Sequence, residues 1–93
     1  METLIQLHLI ISGKVQEVFY RTSAKDKADE FELKGWVKNS DNGKVEILVQ
    51  GDESKIKKFI TWCKKGPKNA DVMDVEIIEE QGFEDFRNFS ILD

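Results

Sequence analysis

A single cysteine, Cys63, excludes an intrachain disulfide and any cysteine-built metal cluster. No apolar run reaches the roughly eighteen residues of a membrane-spanning helix, and no charged-then-apolar leader with a cleavage site opens the chain. The stretch Leu4 to Ile11 is apolar but too short, and too regularly alternating, to be either. Basic charge is also scarce. Fourteen Lys and Arg stand against eighteen Asp and Glu, a formal net charge of −4. That balance argues against a general electrostatic grip on nucleic acid, and any anion site must be locally positive within an acidic whole. Repeats, linkers and low-complexity segments are absent as well. The expectation is one domain over residues 1–93: a cytoplasmic monomer with no nucleic-acid or membrane partner.

What is present is a 40% apolar content with abundant charge of both signs, the composition of a folded chain rather than a disordered one. Ile5, Leu7, Leu9 and Ile11 alternate with Gln6, His8 and Ile10, which predicts a half-buried strand. His8 falls on its less apolar face, where a solvent-facing or cross-strand role is the simplest. Thr22 to Leu33 reads as an amphipathic helix with Ala24, Ala28 and Phe31 on its narrow apolar face, stopped by Gly35. Two strands follow, Gly35–Asn39 and Lys44–Gln50, joined as a hairpin through Ser40-Asp-Asn-Gly43. Asp52 caps a second helix with Ile56, Phe59, Ile60 and Cys63 inward, and Gly66-Pro67 ends it. Cys63 is thereby explained by packing rather than as a nucleophile. Met73, Val75 and Ile77 predict a fourth strand, Glu79-Glu-Gln-Gly82 a polar break, and Phe86, Phe89 and Ile91 a short closing strand or edge segment. The order β-α-β-β-α-β plus a short C-terminal strand predicts an α+β, ferredoxin-like split βαβ sandwich. Its two helices lie on one face of a mostly antiparallel sheet.

Between the first strand and the first helix runs Ser12-Gly-Lys-Val-Gln-Glu-Val-Phe-Tyr-Arg21, expected as a loop of about eight residues, longer than is usual. Backbone held over a helix N-terminus offers N–H groups and a positive dipole end to an anion. Arg21, at the expected helix start, adds a planar five-donor fork suited to a phosphoryl or carboxylate group. Taken alone, the stretch also fits a solvated arginine beside an ordinary loop. Asn39, before the turn, likewise fits a turn-capping residue.

Gly13-Lys-Val-Gln-Glu-Val-Phe-Tyr-Arg21 resembles the signature of the acylphosphatase family, G-x-V-Q-G-V-x-[FY]-R. Gly35-Trp-Val-Lys-Asn39, continued by Gly43-Lys-Val45, resembles its second signature, G-[FYW]-V-x-N-x-x-x-G-x-V, and Lys65-Gly-Pro67 with Val72 and Val75 matches the family pattern beyond the second helix. The resemblance spans roughly Leu7 to Ile91. It implies hydrolysis of small acyl phosphates to carboxylate and inorganic phosphate, without metal or organic cofactor. It assigns Arg21, together with the loop backbone of Val15, Gln16, Glu17, Val18, Phe19 and Tyr20, to the phosphoryl group, and Asn39 to the attacking water. Family substrates of this kind are acetyl, carbamoyl and glycerate acyl phosphates.

The family pattern has Gly where this chain has Glu17. In a left-handed conformation a side chain there costs about 1–2 kcal/mol. A carboxylate ~5 Å from a bound phosphate repels it by roughly 3 kcal/mol per unit charge at an effective dielectric near 20, unless it turns to solvent. Weaker phosphate binding is therefore expected, relieved by Glu17→Gly. Two other readings stand beside the enzyme: an impaired relative that binds a phosphorylated ligand or protein partner, and an interaction module that pairs through edge strands. RNA recognition fits poorly, because Lys44 to Gln50 carries no aromatic residue. Trp36 and Trp62 are read as packing residues, and Lys14, Lys25 and Lys27 as solvated charges.

Overall fold

The computed structural model describes residues 3–80, 82 and 84–92. Gln81, within the expected polar break, and Met1, Glu2 and Asp93, at the ends of the expected domain, lie outside the described residues. The elements are β1 (Leu4–Lys14), α1 (Tyr20–Glu30), β2 (Lys34–Asn39), β3 (Val45–Asp52), α2 (Glu53–Lys65), β4 (Asp71–Glu79) and β5 (Phe89–Ile91). They form one sheet in the order β4-β1-β3-β2-β5. Every strand pair is antiparallel except β2 with β5. This is the expected split βαβ sandwich with an added parallel strand.

Strand alternation builds the core. Leu7, Leu9 and Ile11 of β1 stand opposite Val49, Ile47 and Val45 of β3, and Val37 of β2 stands opposite Ile47. All seven are buried, and Ala24 and Ala28 of α1 and Ile56, Phe59 and Cys63 of α2 close over them. The small residues on α1 let that helix lie close to the sheet. On the far side of the sheet His8 bridges across strands to Glu46 (Nε2 to Oε1, 3.2 Å) and meets the Trp36 ring edge-on at 6.0 Å. It is a cross-strand residue away from the helices.

Four local expectations are corrected. β1 continues three residues past Ile11, because a register shift at Ser12/Gly13 lets it keep pairing with β4 as far as Lys14. The same shift leaves Met73 without a partner between Asp74, opposite Ser12, and Val72, opposite Gly13. The phase of β4 therefore flips: Val72 and Val75 pack on the core, while Met73 is 81% exposed. Gly13 makes the bulge possible, since a Cβ there would sit 2.2 Å from the Asp71 carbonyl oxygen. α1 begins two residues before Thr22 and ends three before Leu33. Its stop is Glu32, at φ 59, with Glu32 N–H donating to Asp29 O (3.1 Å) and Leu33 N–H to Ala28 O (2.8 Å). That is a Schellman ending with glutamate in the place usually taken by glycine.

Gly35 is consequently not a helix stop. It lies in β2 opposite Val49 at φ +132, where an added Cβ would stand 1.8 Å from the Leu48 carbonyl oxygen. Backbone cannot yield there without opening the central β2–β3 ladder. Gly35→Ala is expected to remove about 4 kcal/mol or more of stability, read as a lower urea midpoint at unchanged slope.

α2 starts as expected. The Asp52 carboxylate accepts from Lys55 N–H at 3.4 Å and from the Ser54 hydroxyl, and the Ser54 bond chiefly holds its carboxyl below the usual range.

Candidate active site

The β1–α1 connection is five residues, Val15–Phe19, rather than eight, since strand and helix both encroach on it. Val15 and Val18 are buried and pull the loop onto the core, leaving its backbone at the surface. Between and after them, Glu17 (φ 62) and Phe19 (φ 65) are left-handed. Left-handed residues alternating with right-handed ones turn successive N–H groups toward one side and form an anion-sized concavity. Glu17 thus takes the conformation that glycine adopts freely, at about 1–2 kcal/mol.

The loop runs directly into a bare helix end. Phe19 is the N-cap of α1 and offers no side-chain acceptor. The first helical bond is Ser23 N–H to Phe19 O at 3.1 Å, so the amides of Tyr20, Arg21 and Thr22 have no acceptor within the helix. No acidic residue occupies the first turn; Arg21 stands there instead. An arginine beside a positive dipole end is unfavourable for the helix by about 0.3–1 kcal/mol, and becomes favourable once an anion binds.

Three side chains fix this geometry. The Gln16 side-chain Nε2 donates to Ser40 O and Lys44 O, each at 2.9 Å, tying the loop to the β2–β3 turn just after Asn39. Arg21 Nη1 donates to Leu92 O at 3.5 Å, beyond the end of β5. The Tyr20 hydroxyl donates to Cys63 O at 2.9 Å. That carbonyl's helical donor would be the N–H of residue 67, which is proline and has none. Tyr20 supplies the missing donor and anchors the start of α1 to the end of α2. Burial drives its phenol far above the ordinary range, and burial pushes the Cys63 thiol up to about 12, so both stay protonated in a neutral solution. Tyr20→Phe is expected to cost about 1–3 kcal/mol in chemical denaturation, the penalty for a buried carbonyl left unpaired.

A cavity of about 360 Å³ opens over these parts, lined by Glu17 and Phe19 of the loop, Arg21 and Thr22 of α1, and Asn39 at the end of β2. Asn39 Oδ1 is buried and has no hydrogen-bond partner among the described residues. An unsatisfied buried acceptor costs stability and points to a group it is meant to meet. A larger groove of about 460 Å³ lies between α2 and the sheet, but its floor is Ile56, Ile60 and Ile77 and its rim charges are of both signs. It converges on nothing.

Of the residues singled out from sequence, Val15, Glu17, Phe19, Tyr20, Arg21 and Asn39 meet around the one cavity. Val18 is buried in the core, and the Gln16 side chain turns to the β2–β3 turn. Sequence reasoning missed the bracing role of Gln16, the Leu92 carbonyl that steadies Arg21, and Thr22 in the wall. Only Gln16 had a signal, its place in the first motif.

A ferredoxin-like α/β sandwich that sets a loop with two left-handed residues, an uncapped helix and an arginine around one cavity has the make-up of an anion-handling domain. Comparison with known proteins narrows it. The acylphosphatase family model matches residues 7–91. The acylphosphatase of Marinobacter nauticus is 44% identical over 91% of this chain and 96% of that protein, and that of Acaryochloris marina 42% identical over 99% and 98%. The crystal structure of acylphosphatase from Bacillus subtilis superposes with a TM-score of 0.93 at 37% identity, covering 98% of this chain and all of that one. The chain belongs to the acylphosphatase family, and its activity is hydrolysis of acyl phosphates. Full-length similarity to named acylphosphatases disfavours the reading as an impaired binding module.

Proposed function

We propose that the cavity receives the phosphoryl group of a small acyl phosphate, with Arg21 and the amides from Val15 to Tyr20 on its oxygens and Asn39 on the attacking water. The observation that carries this reading is the meeting of Arg21, the curled loop and Asn39 around one cavity. The bond between phosphorus and the acyl oxygen breaks, and the water oxygen bonds to phosphorus. The carboxylate leaves with the electron pair, and both water protons end on the phosphate product. A carboxylate is a good leaving group, so positioning and stabilisation of the equatorial oxygens supply most of what is needed. An amide is too weak a base to take the proton; it aligns the water by accepting a hydrogen bond.

The same reading makes the protein a cytoplasmic monomer that needs no metal and no nucleic-acid or membrane partner. Its net charge of −4 and its thiol packed in the core accord with that. The test is hydrolysis of benzoyl phosphate in the presence of a chelator. Turnover that inorganic phosphate inhibits competitively supports the reading. A protein that neither turns over nor binds phosphate overturns it.

A further inference from the structure

The phosphoryl reading does not select an acyl group. Building on it, we propose that Phe19 and Glu17 form the acyl side of the cavity. They favour aromatic, uncharged acyl groups and disfavour acyl groups that carry a second carboxylate.

Phe19 is 77% exposed, whereas its neighbours Val15, Val18 and Tyr20 are core residues. The fold therefore gains little from its ring. It is also held at φ 65, a region that bulky residues rarely occupy, and it lines the cavity. A phosphoryl group fills about the space of three waters of ~30 Å³ each. Most of the roughly 360 Å³ is thus left for the acyl group, beside Phe19. An aryl ring there gains an aromatic pairing that an acetyl methyl cannot make.

Glu17 supplies the charge filter. It is exposed, lines the same cavity, and forms no ion pair among the described residues. Arg21 is the only cation in the cavity wall among the described residues, and the phosphoryl group claims it. Lys25 and Lys27 of α1 are turned to Asp29 and Glu30, at 2.8 and 3.4 Å. A second carboxylate on the acyl group would meet Glu17 with no lysine among the described residues of the wall to offset it.

The experiment compares kcat/KM for benzoyl, 4-carboxybenzoyl and acetyl phosphate in the unmodified protein, Phe19→Ala, Phe19→Leu and Glu17→Gln. Ratios between substrates are read within each protein, so any loss from a disturbed loop cancels. Phe19→Ala and Phe19→Leu are expected to lower the benzoyl-to-acetyl ratio by about three- to tenfold. Glu17→Gln is expected to raise the carboxybenzoyl-to-benzoyl ratio by about three- to eightfold, an effect that shrinks in about 0.5 M salt. Turnover with all ratios unchanged overturns this inference alone. Silence on all three substrates overturns the phosphoryl reading and this inference with it.

Discussion

Arg21→Ala is expected to lower kcat/KM for benzoyl phosphate by about three to five orders of magnitude, the range seen when an arginine that neutralises a transferring phosphoryl group is removed. Charge in that transition state spreads over three equatorial oxygens. A guanidinium fork can reach two of them at once. Lysine keeps the charge but not the fork, so Arg21→Lys is expected to recover only part of the loss. Stability should move the other way. Arg21 sits against the positive end of α1 with no acidic neighbour in the first turn, and among the described residues its hydrogen bond is the 3.5 Å contact to Leu92 O. Alanine there is expected to leave the urea midpoint unchanged or slightly raised. Activity within tenfold of the unmodified protein would show that the amides suffice. A large drop in stability would show that Arg21 is a structural residue.

That opposition between stability and function recurs around the cavity. Glu17 and Phe19 keep left-handed backbone, α1 lacks a cap, and Asn39 leaves an acceptor unpaired. Each breaks a local rule, and the breaches lie within one cavity and its loop. The compensation lies just outside: Val15 and Val18 buried beneath the loop, Gln16 bonded to the following turn, and Tyr20 bonded to Cys63. Strain concentrated at one place and braced from elsewhere is how a ligand site differs from an ordinary loop.

The parts of the fold that were legible beforehand obey simple periods. β1 and β3 keep Leu7, Leu9, Ile11, Val45, Ile47 and Val49 in one phase, and α2 announces its start with Asp52 and its inner face with Ile56, Phe59, Ile60 and Cys63. Where a single residue departs from the period, the reading failed. The bulge at Gly13 flips the phase of β4, so Met73 emerges where it had been expected to pack. Glu32 ends α1 in a conformation that its side chain does not advertise, and attention fell on Gly35, whose constraint is a neighbouring strand. The cavity was legible through two motifs that name Arg21 and Asn39. Its braces were not, because Gln16 to Ser40, Tyr20 to Cys63 and Arg21 to Leu92 join residues 24, 43 and 71 positions apart. All three bonds end on backbone carbonyls, which carry no sequence identity at all.

Asn39→Ala is expected to lower kcat by about two to three orders of magnitude while KM moves little. In the proposed reading the amide aligns water and does not hold the substrate, so its contribution would appear in the transition state, whereas Arg21 would act on both. Removing it also removes a buried acceptor that has no partner among the described residues, so stability should hold or rise slightly. Asn39→Asp separates alignment from base catalysis. Aspartate has nearly the same shape and is the stronger base, but its charge would stand in the wall of the cavity that receives the phosphoryl group. If the residue only orients water, aspartate should be no better than alanine and should weaken inhibition by inorganic phosphate as well. An aspartate variant that matched the unmodified protein, or gained on it with rising pH, would assign position 39 to proton abstraction instead.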